Sequence, residues 1–128
     1  MTAYRKPTEA ELEVLRVIWE HGPSTVRQIH GALAPAKVRG YTTILKTVQI
    51  MTDKGLVVRS ESGRTHLYRA RLTEHRTQHQ LVRDLVDRAF GGSATRLMLQ
   101  VLGDGASDEE LGEVQELLDG LRKRRRTK

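Results

Sequence analysis

Three stretches of helical periodicity run straight into a two-stranded hairpin, and a further block of helices of opposite charge follows. That order predicts a mainly α-helical fold in two parts. The first, residues 1–73, has the element order of a winged helix-turn-helix DNA-binding domain. The second, residues 74–121, reads as a C-terminal helical dimerisation lobe, and residues 122–128 form a basic tail.

Each element has its own signature. Pro7-Thr8-Glu9-Ala10-Glu11 is a helix start, with Thr8 as cap and Glu11 three residues on to complete a capping box. Leu12, Leu15, Ile18 and Trp19 then recur at helical spacing until His21-Gly22-Pro23 stops the helix. Ser24 reads as the cap of a short second helix with Val26, Ile29 and Leu33 on its apolar side, ending near Ala34-Pro35. A linker follows, with Lys37 and Arg39 in it.

The third helix is predicted over 41–54, with Gly55 closing it. Turning it by about 100° per residue puts Ile44, Val48 and Met51 on one side, flanked by Leu45. Thr42, Thr43, Lys46, Gln49, Ile50 and Asp53 fall on the other. Leu56 to Arg59 reads as a strand, Glu61-Ser62-Gly63-Arg64 as a turn, and Thr65 to Arg69 as the returning strand.

From Glu74 on, Leu81, Val82, Leu85, Val86 and Phe90 mark a helix broken at Gly91-Gly92. Ser93 caps a shorter one carrying Leu97, Met98, Val101 and Leu102, and Gly103-Asp104-Gly105 ends it. Ser107 to Glu110 opens the last helix as a capping box, and its Leu111, Val114, Leu118 and Leu121 step by 3, 4 and 3 residues like a helix-pairing seam. This lobe is too small for a large core of its own, so dimerisation is expected through Leu81, Leu85, Val114 and Leu118; the alternative is a lobe folded back on the first domain.

The composition narrows the chemistry. The 128 residues include no cysteine, which excludes disulfides and cysteine-based metal sites. The sequence has no apolar run of the roughly 18–20 residues a membrane span needs and no signal-peptide core, so no membrane insertion and a cytoplasmic location are expected. The net charge of +6 is unevenly spread: residues 1–73 carry twelve Lys and Arg against six Asp and Glu, 74–121 carry four against ten, and 122–128 carry six against none. A basic head and an acidic lobe suggest two parts with different tasks, with double-stranded DNA as the partner of the head.

The outward side of the third helix suits a major groove. Lys46 can donate to guanine, Gln49 can pair with adenine, Thr42 and Thr43 suit bases or phosphates, and Ile50 can pack on a thymine methyl unless the helix is turned so that it joins the core. Tyr41 can bond a phosphate or pack. Arg39 and Lys37 before the helix, Lys54 at its end and Arg59, Arg64, Arg69 and Arg71 in the hairpin make an electrostatic footprint, with Arg64 at the tip beside Gly63.

The order PTEAELEVLRVIWEHGPSTVRQIHGAL, then GYTTILKTVQIMTDKGLV, then GRTHLYRA resembles the penicillinase-repressor family of bacterial transcription regulators, the BlaI/MecI/CopY type. The resemblance extends through TEHRTQHQLVRDLVDRAFGGSATRLMLQVL and so covers nearly the whole chain. It implies a homodimeric repressor of resistance or stress genes on a palindromic operator, with base-reading positions at Thr42, Thr43, Lys46 and their neighbours. It also implies release of the operator by cleavage in the C-terminal lobe, triggered by a membrane metalloprotease sensor. The segment similar to the cut site is Leu97 to Leu102, and where well-known members have an Asn-Phe bond this chain has Gln100-Val101. Copper sensing through a C-terminal cysteine cluster is excluded.

No enzyme is expected: the sequence has no Gly-x-Ser-x-Gly elbow, P-loop, cysteine nucleophile or His-Glu-x-x-His. His75 and His79 have a metal-ligand spacing but no third partner, so no metal or other cofactor is expected. Trp19 and Phe90 read as core. The rival function is a winged-helix module that binds another protein through the third helix, without sequence-specific DNA binding.

Overall fold

The computed structural model of the chain describes residues 6–33 and 40–126. In order the elements are α1 (Glu9–His21), α2 (Val26–Leu33), α3 (Tyr41–Lys54), β1 (Val57–Ser62), β2 (Thr65–Ala70), α4 (Glu74–Ala89), α5 (Ala94–Gly103) and α6 (Asp108–Arg126). Two compact units result, residues 1–81 and 82–128, and the division falls inside α4.

In the first unit, α1 starts as its sequence dictates. The Thr8 hydroxyl accepts from Glu11 N–H at 3.2 Å and the Glu11 carboxylate accepts from Thr8 N–H at 2.9 Å. Glu11 is buried, and its carboxylate also takes the Lys54 ammonium at 2.9 Å, which ties the start of α1 to the end of α3. Lys54, grouped by the sequence with the bases flanking the third helix, is thus ion-paired to the start of α1.

The cap of α2 also differs from the sequence reading. Thr25 caps it, accepting from Gln28 N–H at 3.1 Å while the Gln28 side chain accepts from Thr25 N–H at 2.8 Å. Ser24 is drawn out of that role by the hairpin. Its N–H and carbonyl bond Tyr68 on β2, at 3.0 and 2.9 Å, and its hydroxyl donates to Gly22. A residue paired as an extended bridge leaves the cap to its neighbour.

The hairpin pairs Val57 with Ala70 through to Ser62 with Thr65, leaving Gly63-Arg64 as a two-residue turn. Gly63 has φ +65°, the positive value such a turn demands of its first central residue. One apolar core joins all five elements: Val14, Leu15 and Ile18 of α1, Val26 and Ile29 of α2, Ile44, Val48 and Met51 of α3, Val57 of β1 and Tyr68 of β2. Each fully buried aliphatic of this set contributes about 1.5–3 kcal/mol. Trp19, half-buried, packs against it and donates its indole N–H to Leu72 O at 3.1 Å, fastening the chain as it leaves the hairpin.

The helices of the second unit are well delimited but thinly packed. Gly91 and Gly92 take positive φ, and Gly92 N–H closes back on Val86 O at 2.9 Å to end α4. Ser93 caps α5, accepting from Arg96 N–H, and Ser107 caps α6, accepting from Glu110 N–H. Val86 is buried, yet no residue of α5 or α6 is. α6 continues through Arg126, so the first five residues of the basic tail are helical.

Candidate nucleic-acid interface

α3 is held by its inner side. Ile44, Val48 and Met51 are at most 1% exposed, and half-buried Leu45 flanks them. At its C-terminal end Gly55 adopts the left-handed conformation, φ +80°, and bonds the carbonyls of Met51 and Thr52. That left-handed backbone is what selects glycine there; the nearest neighbour of a Cβ, the tip of the exposed Arg71 side chain at 3.0 Å, can move aside.

The opposite side is free of the core. Thr42, Thr43, Lys46, Gln49 and Ile50 are all exposed. Ile50, at 43% exposure, is an outward apolar residue, which removes the alternative helix phase. Tyr41 does two things: its ring stands edge-on to His30 at 5.9 Å between centroids, and the side chain remains exposed. The α3 N-terminus has no side-chain cap and no acid in its first turn, so its N–H groups and dipole favour an anion. Asp53 lies at the far end of the outward side, which places the anion-attracting part in the first two to three turns.

The hairpin extends this surface. Arg59, Arg64 and Arg69 are exposed, with Arg64 in the turn. A cleft of about 310 Å³ brings Tyr41 of α3 and Arg64 together with Thr25 and Arg27 of α2 and with Thr65 and His66 of β2. Arg27 adds a second cation beside Arg64 and His66 a polar ring to this rim, and neither has a signal in the sequence that singles it out. Arg27 sits on a helix read only for its apolar positions, and the pairing that brings His66 to α2 passes through the Ser24–Tyr68 bridge, which has no sequence signal. Arg39 and Lys37 lie outside the described residues.

The remaining sites fall elsewhere. Leu81 and Val114 are half-buried, Leu85 and Leu118 exposed. Gln100 and Val101 lie exposed within α5. Among the described residues, no group of three or more His, Asp or Glu is placed to hold a metal ion, and no helix is long and apolar enough to cross a membrane.

Comparison with known proteins gives a consistent picture. The sequence model of one family, described as penicillinase repressor, matches residues 7–120. The penicillinase repressor of Bacillus licheniformis is 24% identical over 120 residues, which is 93% of this chain and 94% of that protein. The solution structure of the DNA-binding domain of the repressor BlaI superposes with a TM-score of 0.51 at 26% identity, over 58% of this chain and 90% of that one. The monomeric form of Bacillus licheniformis BlaI, solved in complex with the blaP half-operator, gives a TM-score of 0.50 at 26% identity, again over 58% and 90%.

Proposed function

The chain belongs to the penicillinase repressor family of DNA-binding transcriptional repressors, and from that premise we propose that it reads its operator with the outward side of α3. In this reading Thr42, Thr43, Lys46, Gln49 and Ile50 face base edges, while Tyr41, Arg39 and Arg64 engage phosphates. The observation that carries it is the division of α3 into a buried apolar side and an outward polar one beside a cationic hairpin. A buried apolar side gives the helix a fixed seat, and exposed Lys, Gln and Thr are the side chains a major groove can pair with. The similarity of 58% of this chain to a BlaI monomeric form solved in complex with a half-operator supports DNA binding. The protein acts without catalysis or cofactor and works in the cytoplasm, where its DNA is.

The functional form is a homodimer on a palindromic operator, with half-sites about one helical turn apart. Its support is the second unit. Val82, Leu85, Leu99, Val101, Leu117 and Leu118 are each more than 45% exposed, an apolar surface that a small unit in water rarely leaves open. Domains then follow function: head 1–73, lobe 74–121 with Leu81, Leu85, Val114 and Leu118 in the dimer contact, and basic tail 122–128.

Relief of repression at resistance or stress genes proceeds by cleavage at Gln100-Val101, prompted by a membrane metalloprotease sensor. α5 suits this: it is ten residues long with no buried residue, so opening it to the extended form that proteases bind sacrifices little packing. Mass spectrometry of the chain from induced cells is expected to find a fragment ending at Gln100.

A gel shift on the chain's own and neighbouring promoters, across a salt series, tests the core of the proposal. Several phosphate contacts give steep loss of affinity with salt. Absence of retardation at low salt overturns the DNA-reading assignment in favour of a protein-binding module.

A further inference from the structure

The two ends of α6 are opposite in charge. Asp108, Glu109 and Glu110 form its first turn and Lys123, Arg124, Arg125 and Arg126 its last, preceded by Arg122. Between them Leu111, Val114, Leu118 and Leu121 make a seam that is symmetric about position 116, with 111 and 121 equidistant from it, and 114 and 118 likewise. No residue of α6 is buried, and Leu111, Leu118 and Leu121 are 44–52% exposed. Glu116 itself lies on the opposite side of the helix from the seam.

We propose that α6 pairs antiparallel with α6 of a second copy, in a register centred on Glu116. The inference rests on the homodimer reading above and adds the orientation and register of the contact. In this register Leu111 of one copy meets Leu121 of the other, and Val114 meets Leu118. Asp108 and Glu110 then lie beside the other copy's basic end, near Arg122, Arg124 and Arg126. A parallel pair places acid on acid and base on base, which is repulsive at both ends. The macrodipole alone explains acids at the start and bases at the end. It has no bearing on the symmetry of the seam.

The chain has no cysteine, so single labels are specific. Gln115→Cys and Arg126→Cys, each carrying a nitroxide, report distance between copies. At about 1.5 Å per residue and about 10 Å between axes, the register gives about 15 Å or less at 115 and about 30 Å at 126. Short distances at both positions mean a parallel pair, and a long distance at 115 means α6 does not meet its copy. Either overturns the register while leaving the dimer standing. A wild-type chain that sediments as a monomer overturns the dimer reading and the register with it.

Charge reversal supplies the second arm. Asp108→Lys with Glu109→Lys and Glu110→Lys, or Arg122→Glu with Lys123→Glu and Arg124→Glu, are each expected to weaken the dimer about tenfold by sedimentation. One chain carrying both sets restores it to within a few-fold, because each reversed end again meets its opposite. If the double set is weaker than either single one, the macrodipole accounts for the charges and the proposal falls.

Discussion

Lys46 and Lys54 are eight residues apart on one helix, and their surroundings differ. Lys54 is held by the buried Glu11 carboxylate at 2.9 Å, whereas Lys46 is exposed. Lys46→Ala is accordingly expected to weaken operator binding by about 1–3 kcal/mol, checked by fluorescence anisotropy, with unchanged thermal unfolding and dimerisation. Wild-type affinity would mean that the reading side is elsewhere. Glu11→Ala acts in the reverse sense. It removes half the capping box and leaves a partly buried ammonium unpaired, so a loss of about 2 kcal/mol in urea unfolding is expected, with DNA affinity at saturating folded protein preserved. The capping box was legible in the sequence because it is local, three residues from end to end. The Lys54 pairing was not, because its partner is 43 residues away.

Elements with a periodic apolar side were the most legible. α3 matches its sequence reading from Tyr41 to Lys54, with the same inward triad, because Ile44, Val48 and Met51 repeat at helical spacing and Gly55 stops the helix. The hairpin stands where the sequence puts it, but β1 runs on through Glu61 and Ser62, which read as turn and instead pair with His66 and Thr65, and the bridge from Ser24 to Tyr68 moves the α2 cap to Thr25. Long-range backbone pairing leaves no trace in local composition. That bridge seats the hairpin beside α2, which is how Arg27 and His66 come to share a cleft with Arg64. Arg64→Ala is expected to weaken binding about equally across operator variants and to lower the slope of log affinity against log salt by about one, read from the same titrations. A change in sequence preference instead would make Arg64 a base reader.

Across the whole molecule the charge of +6 is the sum of unlike parts, and the last helix adds a division of its own. Removing residues 122–128 takes six positive charges and brings the chain to about neutrality. The truncated protein is expected to dimerise more weakly and to need a higher concentration to occupy its operator, while selecting the same bases in a competition assay. An altered base preference would place part of the reading surface in the tail. The two units differ in packing: the first closes an apolar core, whereas the second leaves most of its leucines exposed. The outward side of α3 holds a consequence for descent. Because Thr42, Thr43, Lys46, Gln49 and Ile50 contribute nothing to the core, replacing them leaves folding nearly untouched. On the proposed reading, a lineage can therefore retarget such a head to new promoters through viable intermediates, one exposed residue at a time.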